Sequence, residues 1–429
     1  MPRINELMTA ALPAGSDLVI VLPHLGPGGA QKVALMAAEH FLGQGRQVTL
    51  VTLLPDKPLT HAVPEGLRWV DLGPAVAETS SNRAPIARIW RFSCTWGRRS
   101  LAWISFVIGW KVLKRLVPGQ APLLVQWLVS SSSGVQATLL RDLLYAGKPA
   151  RVLSLLTRTN LLCCQAMWAL PGHLVVSERN DPRLQKQSFP WLRLRSWLWQ
   201  RADVITANTI GVLEGLQHCH PAMADDMRLL PNPLVVDSHP GNHSDEPAAG
   251  PCFLAVCRLV SQKGIDLLIQ AYAQLPVPLR EMWPLLIAGD GPERASLETL
   301  ASSLLPRGQV RFMGFQRNPQ VLYHRDAVFV LSSRFEGMPN SLLEAMGSGL
   351  AVIVSDASPG PLEVVVHGKS GWVVPAEKVT LLAEAMQAMA ENPALRRRLG
   401  DAAAEFMDAY SWDALDPIWS DILCLEKPV

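Results

Sequence analysis

The sequence predicts an α/β protein of two Rossmann-like domains, each a parallel sheet with helices on both faces. Length is the first observation: 429 residues with 49 % apolar content suffice for two cores of roughly 200 residues each. Second, short apolar runs alternate along the chain with stretches of helical periodicity, the pattern of βαβ units. Third, each half opens with a strand, a loop and a helix, and the polar, proline- and glycine-rich stretch SHPGNHSDEPAAGP (238–251) lies between them as a linker. The expected division is an N-terminal tail over 1–16, a first domain over 17–236, a linker over 237–251, a second domain over 252–405 and a terminal helical segment over 406–429.

In the first half, DLVIVL (17–22) is an apolar strand that ends in PHLGPGGAQK, and Ala30 to Leu42 has helical composition. Gly28 and Gly29 at that helix start let a phosphate or sugar come close to the backbone. A lone glycine pair is not the G-x-G-x-x-G dinucleotide fingerprint. Further strands are expected at 47–53, 123–129 and 152–156. HLVVSERNDPR (173–183) is a strand whose end carries Ser177, Glu178, Arg179 and Asp181. Charges at the end of a buried strand face the crevice, and Glu178 is the candidate cleft-facing polar group. The plain alternative is a polar loop with Asp181 as turn former before Pro182. His173 precedes the strand and reads as structural. Runs at 203–207 and 228–230 close the first domain at PNP (231–233).

The second half begins with CFLAVCRLVSQKGIDLLIQAY (252–272), where strand 253–257 leads to Arg258, Lys263, Gly264 and an amphipathic helix. The helix dipole opposes a lysine at its N-terminus by about 0.3–1 kcal/mol, so the placement makes sense if an anion compensates. A diphosphate would do so, with Arg258 gripping it bidentately and Lys263 adding a point charge. Two solvated loop cations are the alternative. Strand 285–288 ends in the tight turn GDGPE, and VRFMGF (310–315) is the next strand.

The strand AVFVLSS (327–333) then runs into RFEGMPNSLLEAMGSG (334–349), with Glu336 in the loop and Glu344 in the helix, eight positions apart. Unpaired N–H groups at such a helix start attract anions, which places Asn340 and Ser341 beside a ligand. Two carboxylates would repel a bare phosphate. A nucleotide sugar reconciles the two, since its diphosphate takes the N–H groups and cations while its vicinal hydroxyls suit carboxylates. The competing reading makes Ser341 an N-cap and Glu344 its capping-box partner, worth about 1 kcal/mol. AVIVSD (351–356) is a further strand, Glu363 lies in the segment after it, and YSWDALDPIWSDIL has helical spacing.

The net charge of +2 hides an asymmetry: no acidic residue lies between Glu78 and Asp142, where nine arginines and lysines fall. SLAWISFVIGW (100–110) is too short to span a bilayer. Flanking basic residues and interleaved tryptophans suit a helix lying in an anionic membrane interface; an ordinary buried helix is the alternative. No cleaved signal peptide is expected from the first sixteen residues. The seven cysteines have no metal-type spacing and read as reduced core fillers in a cytoplasmic protein.

The stretch 334–349 resembles the E-x7-E motif of retaining GT-B-fold glycosyltransferases of family 4, through the EG turn, the LLEAM helix and Gly347, Ser348 and Gly349. Arg258 and Lys263 resemble that family's diphosphate-binding R-x4-K pair, Gly28 and Gly29 its cleft-lining glycine-rich loop, and IAGDGP its turn near the nucleotide. Glu363 resembles the acidic or polar residue that approaches the donor; an exposed helix glutamate is the alternative. SERNDP resembles a subset acting on bacterial surface-polysaccharide or lipid-linked acceptors, although relatives often place a histidine at this strand end. The resemblance covers the second half almost completely and the first in outline.

It implies a GT-B architecture with the acceptor on the first domain, the nucleotide sugar on the second and a terminal helix crossing back. It implies no metal cofactor: Arg258, Lys263 and the helix at 340 neutralise the leaving diphosphate. Glu336 is either a nucleophile or a ligand of the sugar hydroxyls, and Glu344 binds the ribose. The wording of SERNDP and SPGPLE tilts the donor towards UDP-linked hexoses or N-acetylhexosamines. The expected acceptor is a polyprenyl-diphosphate-linked or polysaccharide glycan, at the inner face of the cytoplasmic membrane. A sugar-nucleotide epimerase of the same fold and an inactive module that binds a partner or membrane are the alternatives. Nucleic acid is not an expected partner, because apolar residues interrupt the basic stretch and no binding-fold signature accompanies it.

Overall fold

Two parallel sheets organise the chain. The computed structural model describes residues 12, 15–54, 59–81, 135–183, 195–234 and 250–425. The expected strand at 123–129, the tryptophan-rich segment 100–110, Cys94 and most of the proposed linker lie outside the described residues.

The first sheet comprises β1 (Leu18–Leu22), β2 (Val48–Thr52), β3 (Arg68–Asp71), β4 (Arg151–Leu155), β5 (His173–Glu178), β6 (Val204–Ala207) and β7 (Met227–Leu229), in the order β3-β2-β1-β4-β5-β6-β7. The second comprises β8 (Cys252–Val256), β9 (Leu285–Ala288), β10 (Val310–Gly314), β11 (Ala327–Leu331), β12 (Ala351–Ser355) and β13 (Trp372–Val374), in the order β10-β9-β8-β11-β12-β13. Every pairing between these strands is parallel. Both sheets follow the doubly wound order, which reverses between β1 and β4 and again between β8 and β11. Such reversals open a crevice at the strand ends, where ligands bind in α/β proteins.

The central strands are almost wholly buried, because helices cover both faces; β1, β2 and β11 are buried at every position, and β1 and β11 are wholly apolar. Two short edge strands, β3 and β13, give no comparable sequence signal and were not expected. Cys163, Cys164 and Cys252 are buried as expected, but Cys219 and Cys424 are exposed, which corrects the reading of all cysteines as core fillers.

The helix Trp412–Ile422 packs on the first domain although the preceding helix, Pro393–Met407, belongs to the second. Leu415, Trp419, Ile422 and Leu423 join Leu18, Ile20 and Phe41 in one buried cluster. Trp412 stacks on His40 at 3.9 Å between ring centroids, and His40 Nε2 lies 2.6 Å from Asp416 Oδ1. His173 serves the same attachment, its Nε2 lying 2.8 Å from the carbonyl oxygen of Ile422. No helix among the described residues is long and apolar enough to cross a membrane.

Candidate active site between the domains

The loops after β8 and β11 meet at the reversal point of the second sheet. Gly264 holds them together: its φ of +61° is left-handed, and a Cβ there would stand 2.1 Å from the carbonyl oxygen of Ser332. The Ser332 hydroxyl donates to the Gly264 carbonyl at 2.9 Å. This contact fixes Lys263 against the loop that carries Glu336. Lys263 Nζ donates to Glu336 Oε1 at 2.5 Å, and the Ser333 hydroxyl donates to the same oxygen at 2.6 Å. The backbone N–H of Glu336 donates to Ser358 Oγ at 2.8 Å. Glu336 is buried, with its Oε1 held by both Lys263 and Ser333.

Glu344 lies on the helix Asn340–Gly347 and is 7 % exposed. Its Oε1 accepts from Lys32 Nζ of the first domain at 2.7 Å, and its Oε2 from the Tyr323 hydroxyl at 3.2 Å. The capping-box reading is not realised: Pro339 holds the N-cap position, no side chain caps the helix, and Ser341 sits inside it. Each carboxylate of the Glu336/Glu344 pair is thus held by a lysine. Lys32, from the helix Gly29–Gly43 that follows the glycine pair, bridges the two domains.

Arg258 and Lys263, the expected diphosphate-binding pair, stand in different surroundings. Lys263 stands in the short turn Ser261–Lys263, ahead of the helix Ile265–Ala273, and is committed to Glu336. Arg258 is exposed after β8, and its guanidinium has no hydrogen-bond or ion-pair partner among the described residues.

Further polar contacts close the cleft. Asn340 Nδ2 donates to the Gly29 carbonyl at 3.0 Å, while its Oδ1 accepts from Asn232 Nδ2 at 2.7 Å. Gly28, which caps that first-domain helix, has extended backbone. A Cβ on Gly337 would come within 2.3 Å of the Arg179 carbonyl oxygen, so the EG turn can lie against the end of β5 only with glycine there.

Glu363 and Glu178 are not where the sequence suggested. Both oxygens of Glu363 are taken by the helix Ile210–Cys219 of the first domain, through the N–H groups of Ile210 at 2.8 Å and Gly211 at 2.9 Å. Those donors are left over at any helix start, so Glu363 acts as an interdomain cap rather than as an open donor contact. Burial pushes its carboxyl above the usual range, although these N–H groups oppose the shift. Glu178 is 1 % exposed and turned into the first domain. It accepts from the Thr157 hydroxyl at 2.6 Å and from Asn160 Nδ2 at 3.0 Å, and burial raises its pKa against those hydrogen bonds. Sequence reasoning also missed Lys32, Tyr323 and Asn232, all polar side chains inside segments otherwise read as scaffold. Among the described residues, no group of three or more histidine, cysteine, aspartate or glutamate side chains could hold a metal ion.

Residues 242–406 match the family described as Glycosyl transferases group 1. The lipopolysaccharide core biosynthesis glycosyltransferase LpsE of Rhizobium meliloti is 33 % identical over 54 % of this chain and 66 % of its own length. The N-acetylgalactosamine-N,N'-diacetylbacillosaminyl-diphospho-undecaprenol 4-alpha-N-acetylgalactosaminyltransferase of Campylobacter jejuni is 28 % identical over 56 % of this chain and 67 % of its own. The exopolysaccharide phosphotransferase of Streptomyces coelicolor is 32 % identical, but the chain spans only 18 % of it. The chain thus spans about two thirds or less of these curated relatives. Among solved structures, sucrose-phosphate synthase of Thermosynechococcus elongatus superposes with a TM-score of 0.69 at 17 % identity, covering 95 % of this chain and 99 % of the other. HepE of Anabaena in complex with UDP-glucose does so with a TM-score of 0.66 at 16 % identity, with the same coverage. These likenesses give the fold, which is GT-B.

Proposed function

We propose, from the premise that this chain belongs through residues 242–406 to the group 1 glycosyl transferases, that it transfers a hexose or N-acetylhexosamine from a UDP-sugar to a lipid-linked or polysaccharide acceptor with retention at the anomeric carbon. The observation that carries the reading is the pair Glu336 and Glu344, both buried beyond β11 and each held by a lysine. The names of relatives support it: one acts on a diphospho-undecaprenol glycan, and a neighbour of the same fold was solved with UDP-glucose.

In this reaction the bond from the anomeric carbon to the phosphate oxygen breaks, the diphosphate leaves with an added negative charge, and an acceptor hydroxyl gives up its proton as it bonds to the sugar. Charge that grows on the leaving group is best met by cations already in place. Arg258, exposed beside the crevice, and Lys263 are those cations. Glu344 exchanges Lys32 and Tyr323 for the ribose hydroxyls, and Lys32 then lies near the nucleotide. Glu336, with Ser333, holds hydroxyls of the transferred sugar. On that assignment the departing phosphate oxygen takes the acceptor proton on the same face as it leaves.

Calorimetric titration of UDP, GDP and ADP, without added metal, into the wild type, Arg258→Ala and Glu344→Gln tests the reading. Expected is binding of UDP, at least tenfold weaker in both variants while they remain folded. No binding of any nucleotide by the wild type would remove the proposal.

A further inference from the structure

The guanidinium of Arg179 is a buried charge at the cleft with hydrogen-bond donors left unmet. Arg179 leaves the end of β5 and is 8 % exposed. Its Nη1 donates to Asn232 Oδ1, whereas Nε and Nη2 are buried without a hydrogen-bond partner. Among the described residues no carboxylate pairs with it: Asp181 is engaged by Arg183, and Glu178 is turned towards Thr157 and Asn160. Desolvation lowers its pKa to about 10. A buried cation with two unmade hydrogen bonds is costly, and it persists where a function needs it.

The unmet atoms are specific. Nε–H and Nη2–H lie on one edge of the guanidinium and form a fork that matches two oxygens of a carboxylate or phosphate. Arg183 uses the same two nitrogens to grip Asp181, with Nε at 3.0 Å and Nη2 at 2.6 Å from Oδ2. Beside it stands a second unmet group. Glu178 and Ala207 are register partners in β5 and β6, so Arg179 and Asn208 leave the sheet side by side, and the buried Oδ1 of Asn208 also has no partner. Gly337 of the EG turn packs against both residues. This puts an anion fork and a hydrogen-bond acceptor on the first domain, facing the loop that carries Glu336.

We propose that Arg179 and Asn208 form an acceptor subsite that takes a two-oxygen anionic group, a phosphate or a uronate carboxylate, with Asn208 Oδ1 receiving a neighbouring hydroxyl. The assignment of this group to the acceptor rests on the transferase reading; the anion site itself does not.

The test uses the full chain carrying Arg258→Ala and Lys263→Ala, which removes the second-domain cations. Into this background, with and without Arg179→Gln, inorganic pyrophosphate and glucuronate are titrated. Expected is binding of one of the two, weakened at least tenfold by Arg179→Gln; which anion binds separates a phosphate from a carboxylate source. Arg179→Lys covers the case in which glutamine fails to fold, because it keeps the charge and loses the fork. Weakening of severalfold is expected there. Equal affinity with and without the Arg179 substitutions, or no binding of either anion to the background, overturns the proposal. If UDP binds the wild type and the anion titrations are insensitive to Arg179, the subsite fails and the transferase reading stands. If the anions need Arg179 and no nucleotide binds, the reverse holds.

Discussion

A side chain's neighbours decide its chemistry, and His220 gives a clear case. It is 5 % exposed, with Arg195 Nη2 at 2.9 Å from its Nε2 and Ser196 Oγ at 2.7 Å from its Nδ1. Burial, followed by the adjacent Arg195 charge, pulls its pKa from 6.5 to about 4. The unfolded chain therefore takes up this proton below pH 6.5, while the folded protein does so only below about pH 4. The stability His220 contributes is complete above that window and is lost as pH falls through it, on the order of 3 kcal/mol. Thermal unfolding between pH 4 and 7 should show a shallower acid decline in His220→Gln than in the wild type; parallel curves would contradict the assignment. The same scale explains which site residues could be read from sequence. Glu336 and Glu344 were legible because a loop and a helix fix the side of the chain they occupy. At the end of β5 the sequence points to Glu178, whereas the structure leaves its neighbour Arg179 with unmet polar atoms at the cleft. Successive strand residues point to opposite faces, and a strand apolar on both faces offers no alternation from which to tell them apart.

Elements were read more reliably than their attachments. The long buried strands and the helices after them carry continuous apolar runs or helical periodicity, and most fell within a residue or two of their expected bounds. The edge strands β3 and β13 span four and three residues, too few for any period to register. The terminal helix Trp412–Ile422 was expected from its spacing, but its seat was expected only from the family resemblance, because an amphipathic face does not name the surface that covers it. That seat is apolar and well filled: Trp419 is fully buried, and its indole Nε1 donates to the Pro231 carbonyl at 3.2 Å. Trp419→Ala should lower unfolding free energy by about 3–5 kcal/mol, the range for emptying a buried aromatic site. Chemical denaturation measures it, and a loss below about 1 kcal/mol would mean that the helix is dispensable to the first domain.

At the scale of the molecule, function depends on two bodies meeting. The ion pair Lys32–Glu344, the amides of Asn340 and Asn232, and the Glu363 cap all join side chains or backbone of one domain to the other. On the proposed assignment, a donor that claims Glu344 alters this interdomain contact as it binds. The positively charged first half carries a separate whole-molecule expectation. The protein should sediment with vesicles containing anionic lipid and not with neutral ones, and the association should weaken as salt rises. Equal recovery from both kinds of vesicle would count against a membrane-surface role.

The chain has passed between the domains by Leu234, which packs in a second-domain cluster, and passes again between Met407 and Trp412; the Leu234 N–H donates to the Tyr410 carbonyl at 2.8 Å. The first domain is thus not finished when its own stretch of sequence ends. During synthesis, β1 and its companions emerge early, but the tryptophan that fills the cluster around Leu18 and Ile20 arrives only after the whole second domain has been made. Until then a strip of that apolar surface stands open to water and to other nascent chains. A ribosome that stops before Trp412 releases a protein whose second domain is complete and whose first domain, although translated in full, still lacks a wall.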